Sequence, residues 1–413
     1  MIWDTIVVGA GPAGCTAAIL LAREGLRVIL LEKSAMPPSK VCGEYLSPGC
    51  LRVLDRIGAL DRVREAGARP LSGMVIHTVA GRSLRATYAG GKASGSPRIH
   101  ALAVRRDRLD PILLDLAVRS GVEYAPHFPV SDLVWETDRI GGVHARHRRG
   151  SATLRGRLII GADGRNSVVA RRLGSVSRHP WLDKVALVTY AAGVSSAQDV
   201  GEIFLGRGRY CILNPIAQDL TNIGFVVNRR EFHRPTDPAG ILRQAAETLP
   251  GLADRLAHAR IIAPTRCLGP LAHQAGRLTA PGALLVGDAA GFLDPFSGEG
   301  IHAALRSAEL AVEAALPVLC DSFAPLPDLG HYALAWRREF RAKWRLASAL
   351  QQAIRHPLVA EWLVTLLARR PDLTALLMAA VGDLIPVQAL NPLGLLARLL
   401  TGHASPRACP EAN

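Results

Sequence analysis

The hexapeptide Gly9-Ala10-Gly11-Pro12-Ala13-Gly14 decides the fold class of this chain. It follows the strand-like run Thr5-Ile6-Val7-Val8 and precedes Ala17 to Arg23, which has apolar residues at helical spacing. A second apolar run, Val28-Ile29-Leu30-Leu31, completes a strand-helix-strand unit. Glycines of a GxGxxG turn in this position allow a tight turn, close approach to a pyrophosphate and close packing of helix on strand. We therefore expect a Rossmann-type nucleotide site, with the helix N-terminus facing the phosphates.

Glu32 stands at the end of the second strand, about 20 residues after the turn, where a carboxylate can accept hydrogen bonds from a ribose hydroxyl. The same carboxylate would repel a 2′-phosphate, which argues against NADP at this site. FAD and NAD both remain possible on these residues alone. The predicted nucleotide contacts in this unit are Gly9, Gly11, Pro12, Ala13, Gly14, Glu32 and Lys33.

Composition sets broad limits on the function. The chain has 413 residues, 49% of them hydrophobic, which is enough for two or three structural units. Its net charge of +14 would suit nucleic acid, an anionic lipid surface or simple solubility. The sequence has no zinc-ligand spacing, RNA-binding aromatic motif or lysine-rich tail, so we expect neither nucleic acid nor a metal as a partner. Seven cysteines without a CxxC pair, and a first strand close to the start, predict a cytoplasmic protein in a reducing compartment.

Hydrophobic patterning predicts an α/β protein in three parts. The nucleotide-binding domain is discontinuous, and a mostly antiparallel sheet that binds the second substrate is inserted into it. A helical region interrupted by prolines follows. The predicted boundaries are 1–70, 105–174 and 276–325 for the nucleotide domain, 71–104 and 175–275 for the sheet, and 326–413 for the helical region.

Three further segments resemble the flavoprotein group that contains para-hydroxybenzoate hydroxylase, geranylgeranyl reductases and flavin halogenases. The run from Gly161 to Ser167 resembles the DG motif of that group, and Val286 to Gly291 resembles its GD motif. Arg106 matches the arginine that contacts FAD from the first long helix. The resemblance implies a bound FAD, with an aspartate of the GD motif on the ribityl chain. It adds Arg106, Asp163, Gly164, Gly287 and Asp288 to the predicted FAD contacts.

Within this group, two segments look like the geranylgeranyl reductase branch. Cys42-Gly43-Glu44 resembles its Cys-Gly element, and the stretch from Asp294 to Ile301 resembles its Pro-x-x-Gly-x-Gly-Ile segment. The resemblance implies that Gly298, Gly300 and Ile301 lie against the isoalloxazine ring, where a helix N-terminus favours the negative charge of reduced flavin. Cys42 and Glu44 become candidate catalytic residues. A small buried residue and a surface or capping carboxylate are the alternative interpretations.

Two departures from the family patterns bear on the reaction. The Tyr-x-Trp-x-x-Pro element of geranylgeranyl reductases corresponds to Tyr210 to Pro215 here, with Ile212 in place of the tryptophan. We expect Tyr210 to line a pocket over the flavin as a third catalytic candidate, although the change at Ile212 counts against reduction of a prenyl chain. The halogenase Trp-x-Trp-x-Ile-Pro signature is missing, so halogenation is not expected.

The resemblance implies an FAD-dependent oxidoreductase that acts on a large lipophilic substrate, either an isoprenoid or a polyketide or aromatic compound. A geranylgeranyl-reductase-like reaction is the first hypothesis, and a monooxygenase of a lipophilic compound is the alternative. A non-catalytic prenyl-binding chaperone is a remote third hypothesis, which the intact DG and GD motifs disfavour. Because no second GxGxxG unit is present, the electrons are expected from a transiently docked NAD(P)H or from another external donor.

The segment from Tyr332 to Leu400 predicts peripheral contact with the inner face of a membrane. Trp336, Phe340, Trp344, Leu346 and Leu350 recur at helical spacing among several basic residues. Further apolar runs extend the segment, at Trp362 to Leu367, Leu373 to Val381 and Leu393 to Leu400. All are shorter than the 18 or so residues of a membrane span. The alternative is a helical cap packed on the antiparallel sheet.

Overall fold

The computed structural model describes residues 2–35, 40–88, 99–147, 150–174, 176–232, 238–320 and 329–390. Within them the strands are β1 (Ile2–Val8), β2 (Val28–Leu31), β3 (Tyr45–Leu46), β4 (Arg69–Leu71), β5 (Gly73–His77), β6 (Ser83–Thr87), β7 (Ala101–Ala103), β8 (Glu123–Ala125), β9 (Val130–Glu136), β10 (Arg139–His147), β11 (Gly150–Gly161), β12 (Val176–Arg178), β13 (Lys184–Ala192), β14 (Gly201–Leu205), β15 (Tyr210–Ala217), β16 (Leu220–Asn228), β17 (Arg260–Ile261), β18 (Arg266–Leu268), β19 (His273–Ala275), β20 (Thr279–Ala280), β21 (Ala283–Leu285) and β22 (Gly291–Phe292). The α-helices are α1 (Pro12–Arg23), α2 (Pro48–Arg56), α3 (Leu60–Glu65), α4 (Arg106–Arg119), α5 (Val168–Leu173), α6 (Pro238–Thr248), α7 (Leu252–Leu256), α8 (Gly300–Leu319), α9 (Gly330–Arg355), α10 (Pro357–Arg369) and α11 (Pro371–Val381).

A parallel sheet forms the centre of the nucleotide-binding part, in the order β21-β11-β1-β2-β8. Val8, the last residue of β1, pairs with Leu31 of β2 and with Gly161 of β11, so these strands end at the same level. β20 adds to one edge, and β10 and β9 extend β11, all in antiparallel pairing. Residues of α1, α4 and α8 share the hydrophobic core of this sheet. The Rossmann-type α/β fold expected from the glycine turn is confirmed.

An antiparallel sheet forms the second layer, in the order β17-β13-β16-β15-β14-β5-β6, with β18 paired to β13 and with β14 parallel to β5. Successive side chains on a strand point to opposite faces. One face of the sheet buries Phe204, Leu213 and Phe225. They pack with Leu249, which lies between α6 and α7, and with Leu252 of α7. The opposite face carries the residues that line the candidate site. Two three-stranded sheets, β3-β7-β4 and β12-β19-β22, complete the described strands.

Helix α9 packs against the nucleotide-binding part of the protein. Its residues Trp336 and Phe340 are 5% and 2% exposed and belong to the same core as α1 and α8. Trp344 packs partly buried against this core. The expectation that these aromatic residues enter a lipid interface is therefore wrong, because their face of the helix is already covered by protein.

Helices α10 and α11 cover one edge of the antiparallel sheet. Val364 of α10 and Leu373 of α11 are buried with Leu84 of β6 in one hydrophobic cluster. The alternative interpretation, a helical cap packed on the antiparallel sheet, describes α10 and α11, whereas α9 also packs on the nucleotide-binding part. The run Leu393 to Leu400 lies outside the described residues. Of the helices that the structure describes, none has the length and hydropathy needed to cross a membrane.

Candidate functional site

A cavity of about 590 Å³ joins the two large sheets. One end of it lies at the carboxyl ends of β1 and β2, where Gly9, Gly11 and Glu32 line the wall. The other end is formed by the antiparallel sheet, through residues such as Ile203 and Val226. Ligands of open α/β sheets bind outside the carboxyl ends of the strands, so the topology itself places a nucleotide at the first end.

The glycine turn has the form that a pyrophosphate requires. Gly9 has φ of 105°, and a Cβ there would lie 2.5 Å from the Ala162 carbonyl oxygen. A Cβ at Gly14 would lie 1.8 Å from the Gly9 carbonyl oxygen, so this glycine allows α1 to pack on β1. A Cβ at Gly11 would approach only the Lys40 Nζ, at 3.3 Å, and would stand in the cavity. Gly9 and Gly14 therefore serve the fold, and Gly11 leaves room for a ligand.

Glu32 ties the end of β2 to the glycine turn. Its Oε2 accepts a hydrogen bond from the Ala10 N–H at 3.0 Å, and its Oε1 accepts one from the Ser34 hydroxyl at 2.8 Å. The side chain lines the cavity. Oε1 also accepts from the Ser34 N–H at 3.1 Å, whereas Oε2 keeps a lone pair beyond its bond to Ala10. This arrangement fits the expected acceptor for a ribose hydroxyl.

The structure brings most of the predicted cofactor contacts together. Gly14 is the exception, since it lies behind the turn. The predicted residues that line the cavity are Gly9, Gly11, Pro12, Ala13, Glu32, Lys33, Arg106, Asp163, Gly164, Gly287, Asp288, Gly298, Gly300 and Ile301.

The aspartates of the two motifs differ in their contacts. The Asp163 carboxylate accepts hydrogen bonds from the Ser167 hydroxyl at 2.5 Å and the Val168 N–H at 2.6 Å, so it holds the start of α5. The Asp288 carboxylate makes no hydrogen bond to another residue that the structure describes, and burial raises its pKa. An acceptor that lines the cavity without a partner is available to the hydroxyls of a ligand.

Arg106 begins helix α4 and forms a paired contact with Asp110, Nε to Oδ1 at 2.7 Å and Nη2 to Oδ2 at 2.8 Å. Burial alone would lower the pKa of this guanidinium, but Asp110 raises it, so the positive charge is kept. Arg106 thus supplies a fixed cation at the cavity wall. Two further cations that sequence reasoning missed, Lys40 and Arg165, also line the cavity. Their positions in the sequence could have identified them. Lys40 directly precedes the Val41-Cys42-Gly43-Glu44 stretch, and Arg165 lies inside the DG motif.

The segment from Cys42 to Glu44 is held against the antiparallel sheet by two asparagine side chains. The Asn222 Nδ2 donates to the Cys42 carbonyl oxygen at 3.1 Å, and the Asn214 Nδ2 donates to the Gly43 carbonyl oxygen at 2.8 Å. Glu44 has φ of 55°, in the left-handed region that non-glycine residues rarely adopt. Conformations of this kind persist where the surroundings enforce them, and they are frequent at functional sites.

Glu44 is 1% exposed and lines the cavity. Its Oε1 accepts hydrogen bonds from the Arg106 N–H at 2.9 Å and from the Tyr190 hydroxyl at 2.6 Å. Its Oε2 is buried and has no hydrogen-bond partner among the described residues. Burial raises the pKa of this carboxyl, because it disfavours the charged form, while the hydrogen bonds from Tyr190 and the Arg106 N–H lower it. Sequence reasoning did not find Tyr190.

Cys42 also lines the cavity. Its sulfur accepts a hydrogen bond from the Glu44 N–H at 3.2 Å. Burial raises the pKa of the thiol, so the group is a neutral thiol at physiological pH.

Tyr210 does not line the cavity, and the expectation that it faces a substrate is wrong. The residue is 0% exposed, and its hydroxyl donates to the Asp294 carboxylate at 2.5 Å. Pro215 is likewise absent from the lining, whereas Ile212, two residues further along β15 from Tyr210, forms part of it. Tyr210 therefore lies behind the cavity wall, where it is hydrogen-bonded to Asp294.

The end of the cavity formed by the antiparallel sheet is mostly apolar. Its polar groups are Glu44, the amides of Asn214 and Asn222, and two tyrosines, Tyr45 and Tyr88, whose hydroxyls are hydrogen-bonded to each other. The apolar lining on this side comprises Met74, Ile76, Ala186, Val188, Ile203, Ile212, Val226, Leu268, Leu271, Phe292, Phe296, Leu350, Leu377, Met378 and Val381.

A sequence profile of the FAD binding domain matches residues 3–315. The chain belongs to the FAD binding domain family. The glycine turn, Glu32 and the unpartnered Asp288 fit this cofactor, because they offer room for a pyrophosphate and acceptors for hydroxyls. The chain is thus an FAD-dependent oxidoreductase of the superfamily that its motifs resemble.

Curated relatives in this FAD-binding superfamily include both reductases and halogenating enzymes. A digeranylgeranylglycerophospholipid reductase of Thermoplasma volcanium is 27% identical over 83% of this chain and 85% of its own length. A 1H-pyrrole-2-carbonyl-[peptidyl-carrier protein] chlorinase of Pseudomonas fluorescens is 24% identical over 75% of this chain and 74% of its own length. A tryptophan 2-halogenase of Chondromyces crocatus is 27% identical over 83% of this chain and 66% of its own length.

Solved structures with the same fold also fall into both groups. A geranylgeranyl bacteriochlorophyll reductase-like protein of Thermoplasma acidophilum has a TM-score of 0.76 at 23% identity, over 95% of this chain and 99% of its own. A flavin-dependent brominase has a TM-score of 0.82 at 18% identity, over 97% of this chain and 100% of its own. At these identities the likeness establishes the fold alone.

Proposed function

We propose that this FAD-dependent oxidoreductase reduces a large lipophilic substrate, in the manner of geranylgeranyl reductases. One observation carries the proposal: a single cavity joins the residues that fit FAD to an apolar surface of the antiparallel sheet. Apolar linings with a few placed polar groups are typical of sites for hydrophobic ligands. The substrate would lie along Ile203, Ile212 and Val226, with its reacting part near Glu44.

The residues of this chain bind, orient and exchange a proton in the proposed reaction, while bound FAD supplies the transfer of two electrons. The apolar wall excludes water from the reacting end. Glu44 is the one carboxyl among the residues that line the apolar half of the cavity, and its Oε2 is without a partner among the described residues. It is therefore the group that would give a proton to the substrate as the substrate accepts electrons.

The relatives support this class of reaction and also its alternative. The Thermoplasma volcanium reductase acts on an isoprenoid lipid by its name, and an isoprenoid chain suits an apolar wall. The chlorinase and the tryptophan halogenase attach a halogen by their names, so relatives of this chain also carry out reactions other than reduction. We therefore keep an FAD-dependent monooxygenase of a lipophilic aromatic or polyketide compound as the second candidate. In either case the electrons would come from NAD(P)H or another external donor.

The two candidates differ in what reoxidises the flavin. The purified FAD-loaded protein would be reduced without oxygen and mixed in a stopped-flow instrument, first with a geranylgeranyl phospholipid and then, separately, with oxygen. Reoxidation by the lipid, with a product that has gained two hydrogens, is expected for the reductase. Reoxidation by oxygen alone, through a long-lived flavin spectrum and with an oxygenated product of a lipophilic aromatic, would replace the reductase with the monooxygenase.

A pair of variants tests whether the apolar wall holds the substrate. Ile212→Asp places a charge in the cavity, and we expect it to abolish reoxidation by the lipid while FAD remains bound. Val118→Asp is the matched control, since Val118 is 48% exposed on α4 and does not line this cavity. Equal activity of both variants would contradict the proposed position of the substrate.

We also propose that contact with a membrane runs through α10 instead of α9. Leu358 and Trp362 of α10 are 85% and 64% exposed, and Val359 is 48% exposed. Val79, Arg207 and Pro357 share a surface cleft, so positive charge and apolar side chains meet beside the start of α10. Apolar and aromatic side chains next to arginines suit the interface of an anionic bilayer.

A further inference from the structure

We propose that Tyr190 selects the oxygen of Glu44 that carries the proton, and so turns Glu44 into an acid that faces the cavity through Oε2. The inference builds on the proposed function, because the acid would serve the lipophilic substrate. It makes Tyr190 a positioning residue, since its hydroxyl acts through Glu44 and Tyr190 does not line the cavity.

The hydrogen bonds assign the two oxygens of Glu44 to different tasks. Oε1 accepts from two donors, the Arg106 N–H at 2.9 Å and the Tyr190 hydroxyl at 2.6 Å. In a protonated carboxyl, the carbonyl oxygen is the better acceptor and the other oxygen carries the hydrogen. Two donors on Oε1 therefore make it the carbonyl oxygen, and the proton is placed on Oε2. That oxygen is buried and without a partner among the described residues.

The backbone keeps this arrangement fixed. Glu44 has φ of 55°, and its carbonyl oxygen accepts hydrogen bonds from the Val104 N–H at 3.1 Å and the Asn214 Nδ2 at 3.3 Å. Asn214 also donates to the Gly43 carbonyl oxygen at 2.8 Å. These bonds hold the backbone of Glu44, and the two bonds to Oε1 hold its side chain, so Oε1 and Oε2 cannot exchange places without the loss of both bonds to Oε1.

The same contacts stabilise the carboxylate that remains after proton transfer. The Arg106 N–H belongs to the first turn of α4, where the helix dipole favours a negative charge. The Arg105 guanidinium lies over the Tyr190 ring, 5.4 Å from its centroid, and adds positive charge nearby. In the proposed step the Oε2–H bond breaks and the proton bonds to the substrate atom that receives an electron pair. The carboxylate recovers one proton from water after the product leaves.

The test is a titration of Glu44 in the FAD-loaded protein by infrared spectroscopy of its protonated carboxyl band. The band is assigned by its loss in Glu44→Gln. In Tyr190→Phe one hydrogen bond to the ionised form is lost, so we expect the midpoint of the titration to rise by about one to two pH units. The carbonyl frequency should also rise, because Oε1 loses a donor. FAD content should stay unchanged.

Tyr124→Phe is the matched control, since the Tyr124 hydroxyl is buried without a partner among the described residues and is not bonded to Glu44. Its titration midpoint should equal that of the wild type. An unchanged midpoint and frequency in Tyr190→Phe would overturn the inference, as would a wild-type Glu44 that titrates at the ordinary glutamate value of about 4.3. The titration needs no substrate, so its outcome is independent of whether the lipid is reduced.

Discussion

The Tyr210 hydroxyl donates a hydrogen bond to Asp294 Oδ1 at 2.5 Å in the protein interior. The same oxygen accepts from Gln351 Nε2 at 2.7 Å, and the Lys184 ammonium donates to Gln351 Oε1 at 2.5 Å. These four side chains join the antiparallel sheet, the loop before α8 and helix α9. Because Phe296, Gly298 and Gly300 follow Asp294 in the cavity wall, the network holds the wall in place.

Replacing Tyr210 with phenylalanine should lower stability and leave substrate affinity unchanged. The variant removes a donor from a buried carboxylate, a loss of about 1–3 kcal/mol in the free energy of unfolding. Urea unfolding of the FAD-loaded protein would measure it. Tyr332→Phe is a suitable comparison. The Tyr332 hydroxyl donates to the neutral Leu285 carbonyl oxygen, so its removal should lower the free energy of unfolding by less. Weaker substrate binding at unchanged stability would return Tyr210 to the substrate site.

Tyr210 shows why part of the site could not be predicted. It shares a face of β15 with Ile212 and Asn214, as strand alternation predicts, and those two residues line the cavity. The sequence does not tell at which residue of β15 the cavity ends. Helix α9 covers this face at the level of Tyr210 through Gln351, and no local pattern in the sequence reveals where a distant helix crosses a strand.

The glycine turn of the candidate FAD site was predictable because its signals are local. Gly9 and Gly14 are required by contacts within one strand-turn-helix unit, so the spacing alone identifies them. The pairing of Glu44 with Tyr190 joins residues 146 positions apart, one just before β3 and the other in β13. Nothing in the sequence around either residue signals that contact, because it depends on how the antiparallel sheet is placed over the Cys42 to Glu44 segment.

Gly11→Val should abolish FAD binding and keep the fold. The added side chain would stand in the cavity, where a Cβ approaches only the Lys40 side chain. FAD content of the purified protein and circular dichroism would measure the two effects. Gly14→Val is the contrasting variant, because a Cβ there would lie 1.8 Å from the Gly9 carbonyl oxygen and should disrupt the fold itself. Full FAD occupancy in Gly11→Val would refute the assignment of the turn.

Asp288→Ala should weaken FAD binding by roughly ten- to hundredfold, which corresponds to a charge-assisted hydrogen bond of about 1.5–3 kcal/mol. The fold should persist, since the carboxylate makes no hydrogen bond to another described residue. Fluorescence titration of the apoprotein with FAD gives the dissociation constant. Asp163→Ala provides a comparison. Because the Asp163 carboxylate accepts hydrogen bonds from Ser167 and Val168, this substitution should also lower the stability of the fold. An unchanged dissociation constant in Asp288→Ala would contradict the role given to the GD motif.

Cys42 should react slowly with iodoacetamide at neutral pH and faster as the pH rises. Burial raises the pKa of its thiol, so little of the reactive thiolate is present. Mass spectrometry of the labelled peptides would compare the labelling of Cys42 with that of Cys320, which is exposed.

Cys42→Ser should change turnover or the flavin potential with little effect on FAD content. If turnover, potential and substrate affinity all stay at wild-type values, Cys42 is a small packing residue only.

Binding to anionic vesicles should depend on α10. In the double variant Leu358→Ser/Trp362→Ser, the two most exposed apolar side chains of this helix are lost, so co-sedimentation should fall. Wild-type binding should exceed that to neutral vesicles and weaken with salt, because surface charge contributes and is screened. Leu334→Ser is the matched control, since Leu334 is 51% exposed on α9. No co-sedimentation of the wild type at low salt, or an equal loss in Leu334→Ser, would remove α10 as a membrane contact and leave its apolar face as ordinary protein surface.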